Sequence, residues 1–587
     1  MVHFDDILRK NVGEFGKYQK ILCFLVGMVT IPCAYHNVVP AFHFVKTDAW
    51  CKIPNAEEAA LQVCVGNVTA ARCMESLKSL AIPVEERNDT CGPASSFSRC
   101  YRYDVNVSQY VTRYSVASGG ESYGHENLTK IKCDHGWEYD TSQYKNTVIQ
   151  QFDLVCDNIN LKAMATSIFI IGILFGSFIF GLIIDGCGRK RGLMIGITMM
   201  TIHGVITAFS PSLLVFMVTR FFVGSATFGA YLSGFLLVFE FVGPSKRAKA
   251  SLIYCMLFGV GYLLLAPFAY FFRNWRILQM VISVPTILFL SYWCVIPESP
   301  RWLISHGRND EAEKIIRKCV RINKVLIHEN PPNQSSDPLG ETEDGKKNTK
   351  PKCRCRCAFL DLCRLANMRK KIIILCYVWV VNTLLYYGLP FSISTLGKND
   401  YSNCVISGIL EISAYFLCIF IIDVSFLGRR WSIFNAMAIA GVTCACAGFV
   451  PRCGDPVWLG TVLACISKFF ITCSFAMVYI FTAELMPTPA RSVGVGTCSL
   501  VARIVGMFAP HLLLMSELWI NLPAVFFGVA SIIAGVLVLF LPETEGEDLQ
   551  ETMEEGERFG KSARKSTATN SGYGEIRQLK NSLDSQL

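Results

Sequence analysis

Apolar residues along this chain gather into long blocks separated by short charged stretches, rather than alternating with polar ones at strand spacing. A bilayer core of about 30 Å is crossed by roughly 20 helical residues. Twelve blocks reach about that length: 20–42, 161–184, 192–209, 213–236, 251–271, 278–296, 372–393, 404–422, 432–450, 458–481, 493–515 and 520–541. The run 192–236 is divided at Pro211, because a proline removes a backbone donor and breaks a helix interior. The pattern predicts an all-α polytopic membrane protein with twelve transmembrane helices. It divides into an N-terminus (1–19), a six-helix half (20–296), a polar linker (297–371), a second six-helix half (372–545) and a tail (546–587). A long loop, 43–147, interrupts the first half.

Composition narrows the class. Charged residues make up 17% of the chain, against roughly 25% in soluble domains, and mean hydropathy is +0.38. Apolar and aromatic residues at 52% exclude disorder for most of the length. The net charge of +9 sits between apolar blocks rather than in a stripe, so the expected partner is a lipid bilayer and not nucleic acid. The 26 cysteines, in a chain this long and apolar, do not describe a small disulfide scaffold. The chain has no glycine loop followed by Lys-Ser/Thr to cradle a nucleotide, and no Ser/His/Asp or paired-carboxylate constellation in a soluble segment. An enzyme or an ATP-driven pump is therefore not expected. Cys353-Arg-Cys-Arg-Cys357 lacks zinc-site spacing and reads as palmitoylated or plain surface thiols, so no metal is expected.

Basic residues set the orientation. Arg189, Lys190 and Arg191, then Lys246, Arg247 and Lys249, then the Lys/Arg-rich 301–371, then Arg429 and Arg430 all fall on one side of a twelve-span chain. That side is cytoplasmic by the positive-inside rule, which puts both termini inside and loop 43–147 outside. The loop carries Cys51, Cys64, Cys73, Cys91, Cys100 and Cys133, with Cys156 just beyond, as expected of disulfides in an oxidising compartment. Pairing among seven cysteines is not readable from spacing. Asn67, Asn88, Asn106 and Asn127 head glycosylation sequons there. The first apolar block is too long for a signal peptide. Residues 307–326 read as an amphipathic cytoplasmic helix, and 330–352 as disordered.

The two halves repeat one another. Gly188-Arg189-Lys190, Glu240, Arg247 and Pro297-Glu298-Ser-Pro-Arg301 are matched by Gly428-Arg429-Arg430, Glu484, Arg491 and Pro542-Glu543-Thr. Arg189 and Glu240 are 51 residues apart, Arg429 and Glu484 are 55; each glutamate precedes its arginine (Arg247, Arg491) by 7. Parallel repeats of this kind place a substrate site between the halves near the bilayer midplane.

Asp185-Gly-Cys-Gly-Arg-Lys resembles the signature loop of the major facilitator superfamily. Pro297-Glu-Ser-Pro-Arg-Trp-Leu, Ala483-Glu-Leu-Met-Pro-Thr-Pro-Ala-Arg, Pro542-Glu-Thr-Glu-Gly, Gln151-Phe-Asp-Leu-Val-Cys156 and the cysteine-rich loop together resemble the organic ion transporters of solute carrier family 22. Gly186 stands where the signature loop usually has a basic residue, and Ser425 where the second half often has Asp. The resemblance implies a major facilitator fold. It also implies a cytoplasmic gate of Asp185, Arg189, Glu240, Arg247, Glu298 and Arg301 with Arg429, Glu484, Arg491 and Glu543, latching the halves in one state and releasing in the other.

Charges within the spans are functional candidates by default. Glu411 lies mid-way in the eighth span, Arg503 in the eleventh and Lys468 in the tenth. Glu411 either pairs with Arg503 or Lys468 as a structural bridge, or these groups face a cavity and meet a charged solute. The resemblance implies that organic cation carriers have an acid at the position of Arg503, while anion and carnitine carriers have Arg. A fixed carboxylate with a fixed guanidinium suits a zwitterion. Arg503 would take a carboxylate by paired hydrogen bonds, and Glu411 with aromatic faces would take a quaternary ammonium. Tyr231, Tyr386, Tyr387 and Tyr479 are the aromatic candidates. Residues 261–276 resemble the sodium-dependent carnitine transporter, whereas Cys33-Ala-Tyr-His36 is similar to the testis-type carnitine carrier. Cys33 replaces an Asn, and a thiol is a poor Na+ ligand. No cofactor is expected beyond coupling to Na+ or H+.

The expected activity is plasma-membrane transport of small organic cations or zwitterions, carnitine-like betaines first, by alternating access. An organic anion carrier and a non-transporting surface receptor or scaffold are the alternatives. The ending Ser585-Gln-Leu fits a PDZ-domain partner through strand addition, or is simply the end of a disordered tail.

Overall fold

In the computed structural model, the residues described are 12–45, 47–54, 78–79, 81–89, 92–104, 128–323, 364–396, 400–421, 428–451, 457–487, 490–515, 519, 521–545, 550 and 553–560. Cys64, Cys73, Cys91, Asn67, Asn106, Asn127, Ser425, the 353–357 thiols and the C-terminal tripeptide lie outside them, as does the Arg491 side chain.

Ten helical segments are long and apolar enough to cross a membrane, and two shorter apolar helices complete the expected twelve. The first span is three pieces: α1 (Lys17–Met28), α2 (Thr30–Val38) and α3 (Pro40–His43). Pro32 and Pro40 sit in it, and prolines interrupt the backbone ladder. The next spans are α5 (Ile159–Cys187), α6 (Arg189–Ala208), α7 (Leu213–Phe241) and α8 (Pro244–Phe271), after a short α4 (Val148–Gln151). The division at Pro211 is borne out. Ser212 caps α7 by accepting from the Val215 amide at 3.4 Å.

The sixth span is not one α-helix. It runs as α9 (Trp275–Ser283), a 3-10 stretch (Val284–Ser291) carrying Pro285, and α10 (Tyr292–Val295). Two helices of the polar linker follow, α11 (Pro300–Ser305) and α12 (Asn309–Asn323). The second half comprises α13 (Ala366–Leu396), α14 (Asp400–Ile421), α15 (Gly428–Phe449), α16 (Val457–Leu485), α17 (Arg491–Gly506), α18 (Ala509–Leu514) and α19 (Leu522–Val538), and α20 (Met553–Arg558) lies in the tail.

Outward faces are apolar: Phe178, Leu182, Phe271, Leu288, Phe449 and Trp458 are all exposed, the pattern of a lipid-facing surface. Inside each half, small residues let backbones approach. A Cβ on Gly172 would collide with the Phe221 carbonyl, and one on Gly441 would meet the Gly528 carbonyl at 2.7 Å.

The long loop is tied down by short antiparallel strands. β1 (Ala49–Cys51) pairs with β6 (Trp137–Tyr139), β2 (Val84–Asp89) with β3 (Gly92–Phe97), and β4 (Tyr101–Tyr103) with β5 (Lys130–Lys132). Disulfides join Cys51 to Cys133 and Cys100 to Cys156. Arg102 donates to both Asp134 oxygens (2.6 and 2.8 Å), and its guanidinium holds the Asp134 carboxyl well below the usual carboxylate range. Asn88 sits in β2.

Two clamps close the ends opposite the loop, and neither is legible as such in the sequence. In the first half, Asn323 at the end of α12 accepts from the Tyr18 amide (2.8 Å) and donates to the Val12 carbonyl (2.9 Å), capping α1. In the second half, the Glu557 carboxylate of α20 accepts from the Asn367 and Met368 amides (3.0 Å each), capping α13. The buried Lys371 donates to the Gly556 and Phe559 carbonyls. Part of the tail is therefore a packed element of the second half.

Candidate functional site

α8 of the first half packs against α14 of the second. A Cβ at Gly408 would lie 2.8 Å from the Leu263 nitrogen, and one at Gly259 3.2 Å from the Glu411 Cβ. Glu411 thus stands on the seam between halves. It is fully buried (0%), and Lys468 on α16 is 2% exposed beside it, with Nζ 3.6 Å from Oε2. The Tyr386 hydroxyl donates to Glu411 Oε1 at 2.6 Å. The ammonium lies 4.6 Å from the Tyr262 ring, contributed by the other half, and 5.9 Å from the Tyr386 ring. Neither Glu411 Oε2 nor Lys468 Nζ makes a hydrogen bond. The ion pair is therefore in contact without being locked.

Arg503 is differently placed. Its Nε donates to Ser499 Oγ, one turn back, at 3.2 Å. Its guanidinium stacks 3.9 Å from the Phe228 ring, which α7 brings from the first half. Among the described residues no carboxylate lies within 4 Å of it. Tyr387 and Tyr479 are close enough to feel its charge, and Tyr387 also feels that of Glu411. Of the two bridge partners considered for Glu411, the structure brings together Lys468 and not Arg503. Among the described residues the seam then holds one matched pair and one guanidinium without a carboxylate partner.

The aromatic candidates line this region in two groups. Tyr386 stacks on Phe475 (5.4 Å) and meets Tyr387 edge-on, and Tyr479 packs against Trp379 (4.2 Å). Across the seam, the Tyr231 hydroxyl is 3.2 Å from Cys255 Sγ and its ring contacts Phe258. Phe228, Phe258, Tyr262 and Phe475 were not singled out by sequence. Cys33 is buried, and its thiol lies 3.5 Å from the Thr227 carbonyl.

The expected gate residues form two matching clusters, and each ion pair seen stays within one half. Arg189 pairs with Glu240 (2.9 Å) and Asp185 (3.5 Å); Arg429 approaches Glu484 (3.5 Å). Glu298 and Glu543 serve in another way. Glu298 accepts from the Arg189 and Lys190 amides, and Glu543 from the Arg429 and Arg430 amides. Each carboxylate caps a helix start behind a glycine with positive φ, Gly188 (+107°) and Gly428 (+61°). A Cβ at either glycine would collide with the capping carboxylate, Glu298 or Glu543. Arg247 donates to the Phe239 and Val242 carbonyls, and Arg301 stands at the start of α11.

On the loop side the halves are joined. The Tyr144 hydroxyl donates to Asp400 (3.0 Å), Tyr401 stacks on Phe42 and Tyr144, and Ser167 donates to the Met507 carbonyl (2.7 Å). Toward the other ends of α5 and α17, Gly181, Gly186 and Gly496 have open space beside them.

Comparison with known proteins agrees with this architecture. The family model described as "Sugar (and other) transporter" matches residues 118–555. An organic cation transporter protein of Drosophila melanogaster is 35% identical over 98% of this chain and 99% of its own. Solute carrier family 22 member 2 of Homo sapiens is 34% identical over 94% of this chain and 95% of its own. Among solved structures, the major facilitator superfamily proton:xylose symporter XylE is similar at a TM-score of 0.53 with 16% identity, over 92% of this chain and 98% of that one. The fold is that of the major facilitators.

Proposed function

The chain belongs to the sugar (and other) transporter family and to solute carrier family 22, and from that premise we propose that it carries small organic cations and zwitterions, carnitine-like betaines first. The single observation supporting the zwitterion is the uncompensated Arg503 beside Tyr387 and Tyr479, with Glu411 within the same aromatic surround. A substrate carboxylate would take the guanidinium by two parallel hydrogen bonds. Its ammonium would meet the Tyr386 and Tyr262 faces near Glu411, displacing Lys468 from its long 3.6 Å contact. The loop side, joined by Tyr144–Asp400 and Ser167–Met507, would be the extracellular face, which an alternating-access cycle would open and close. The plasma membrane is the proposed location, with both termini cytoplasmic.

A second reading, an organic anion carrier, is favoured by one observation: Lys468 already neutralises Glu411, so the interior is net positive. Labelled carnitine uptake into cells expressing the chain separates the readings. It would be run with and without Na+, against excess tetraethylammonium and an aromatic carboxylate. Saturable carnitine uptake inhibited by both supports the zwitterion. Uptake of the aromatic carboxylate with no carnitine uptake, at confirmed surface expression, supports the anion carrier.

A further inference from the structure

A second uncompensated cation lies away from the central seam, inside the first half. Arg220 on α7 is 1% exposed and has no carboxylate partner among the described residues. One guanidinium nitrogen donates to the His36 carbonyl at 3.0 Å, the group stacks 4.2 Å over Phe169, and Nη1 has no acceptor. His36 and His43 are both 0% exposed, and all four of their ring nitrogens are unpaired. The His43 ring packs edge-on to Trp275 (5.7 Å), whose indole N–H is also unpaired. The His43 ring also packs edge-on to Phe216 (6.2 Å), one turn before Arg220 on α7, so both histidines lie beside the guanidinium's stretch of that helix.

Counted as chemistry, this cluster has a surplus of donors and of positive charge. Each neutral imidazole offers one N–H and one acceptor nitrogen, Trp275 offers another N–H and Arg220 the two of Nη1, so the N–H groups outnumber the acceptors. A buried charge without a counter-charge is among the costliest arrangements in a protein. A proton is the wrong ligand, because protonating either histidine adds a second positive charge beside Arg220. An anion corrects both deficits at once.

We propose that His36, His43 and Arg220 form a buried site for a small monovalent anion of chloride size, separate from the central Arg503 and independent of the transport reading above. Full-length protein is purified in nanodiscs and its thermal unfolding midpoint is followed from 1 to 100 mM chloride, with gluconate holding ionic strength constant. The expected result is a rise of roughly 1–3 °C for the native chain. The shift should be lost in Arg220→Gln and at least halved in His36→Gln and His43→Gln. The histidine variants keep the charge and decide the question if Arg220→Gln does not fold. An Arg503→Ala variant should keep the shift. Equal midpoints in chloride and gluconate for the native chain overturn the proposal. So does a full shift in both histidine variants, or a shift lost only in Arg503→Ala, which would assign the ion to the central seam.

Discussion

Glu411 and Lys468 meet at 3.6 Å with almost no exposure, so each is the other's only compensating charge among the described residues. Removing one partner of such a pair typically costs about 3–5 kcal/mol, whereas replacing both with neutral residues costs far less. Lys468→Met should therefore lower the unfolding midpoint strongly, and Lys468→Met with Glu411→Gln should recover most of the loss. Equal destabilisation by the single and double variants would show that the pair is not coupled. All three midplane charges were legible as apolar-block interruptions, because an ionisable residue inside a span is rare. Which acid meets which base was not, since that depends on the register between α14 and α16. Arg220 also interrupts the fourth span but was not singled out there, and its isolation becomes evident only when the buried surroundings of α2 and α7 are known.

At the scale of elements, the proline-split first and sixth spans and the two clamps distinguish the observed helices from uniform rods. Pro32, Pro40 and Pro285 mark the splits in the sequence, although the apolar pattern alone reads each span as continuous. The clamps left no such mark. Asn323 ends an ordinary amphipathic helix, and Glu557 is one acid among several in a charged tail. Removing a helix N-cap of this kind costs about 1 kcal/mol. Glu557→Ala should lower thermal stability by about that amount through α13, and Asn323→Ala by a similar amount through α1, additively because the two sites lie in different halves. Thermal unfolding of the two single variants and the double variant measures this. At the seam, Gly408→Ala would press a methyl into the Leu263 backbone, 2.8 Å away. Overpacking of that sort costs about 1–3 kcal/mol, and transport should fall with it even where expression is preserved.

At the scale of the whole molecule, twelve spans, a pseudo-repeat and the placement of the charged clusters were legible from hydropathy and from paired Gly-Arg motifs. Which ends of the halves touch was not, because it depends on contacts such as Tyr144–Asp400 between residues far apart in the sequence. Tyr144–Asp400 holds the loop side together over the buried Cys404. Asp400→Ala should speed labelling of Cys404 by a membrane-impermeant maleimide applied from the loop side, and an unchanged rate would remove that contact from the closure. The central claim is that Arg503 receives a substrate carboxylate. Its most direct test compares uptake of labelled carnitine with that of a quaternary ammonium lacking the carboxylate, in native and Arg503→Ala protein at matched surface expression. Losing charge-assisted hydrogen bonds worth about 1.5–3 kcal/mol predicts a fall in carnitine uptake of roughly 10- to 100-fold relative to the plain cation. Parallel loss of both substrates, or carnitine uptake unchanged, would contradict it.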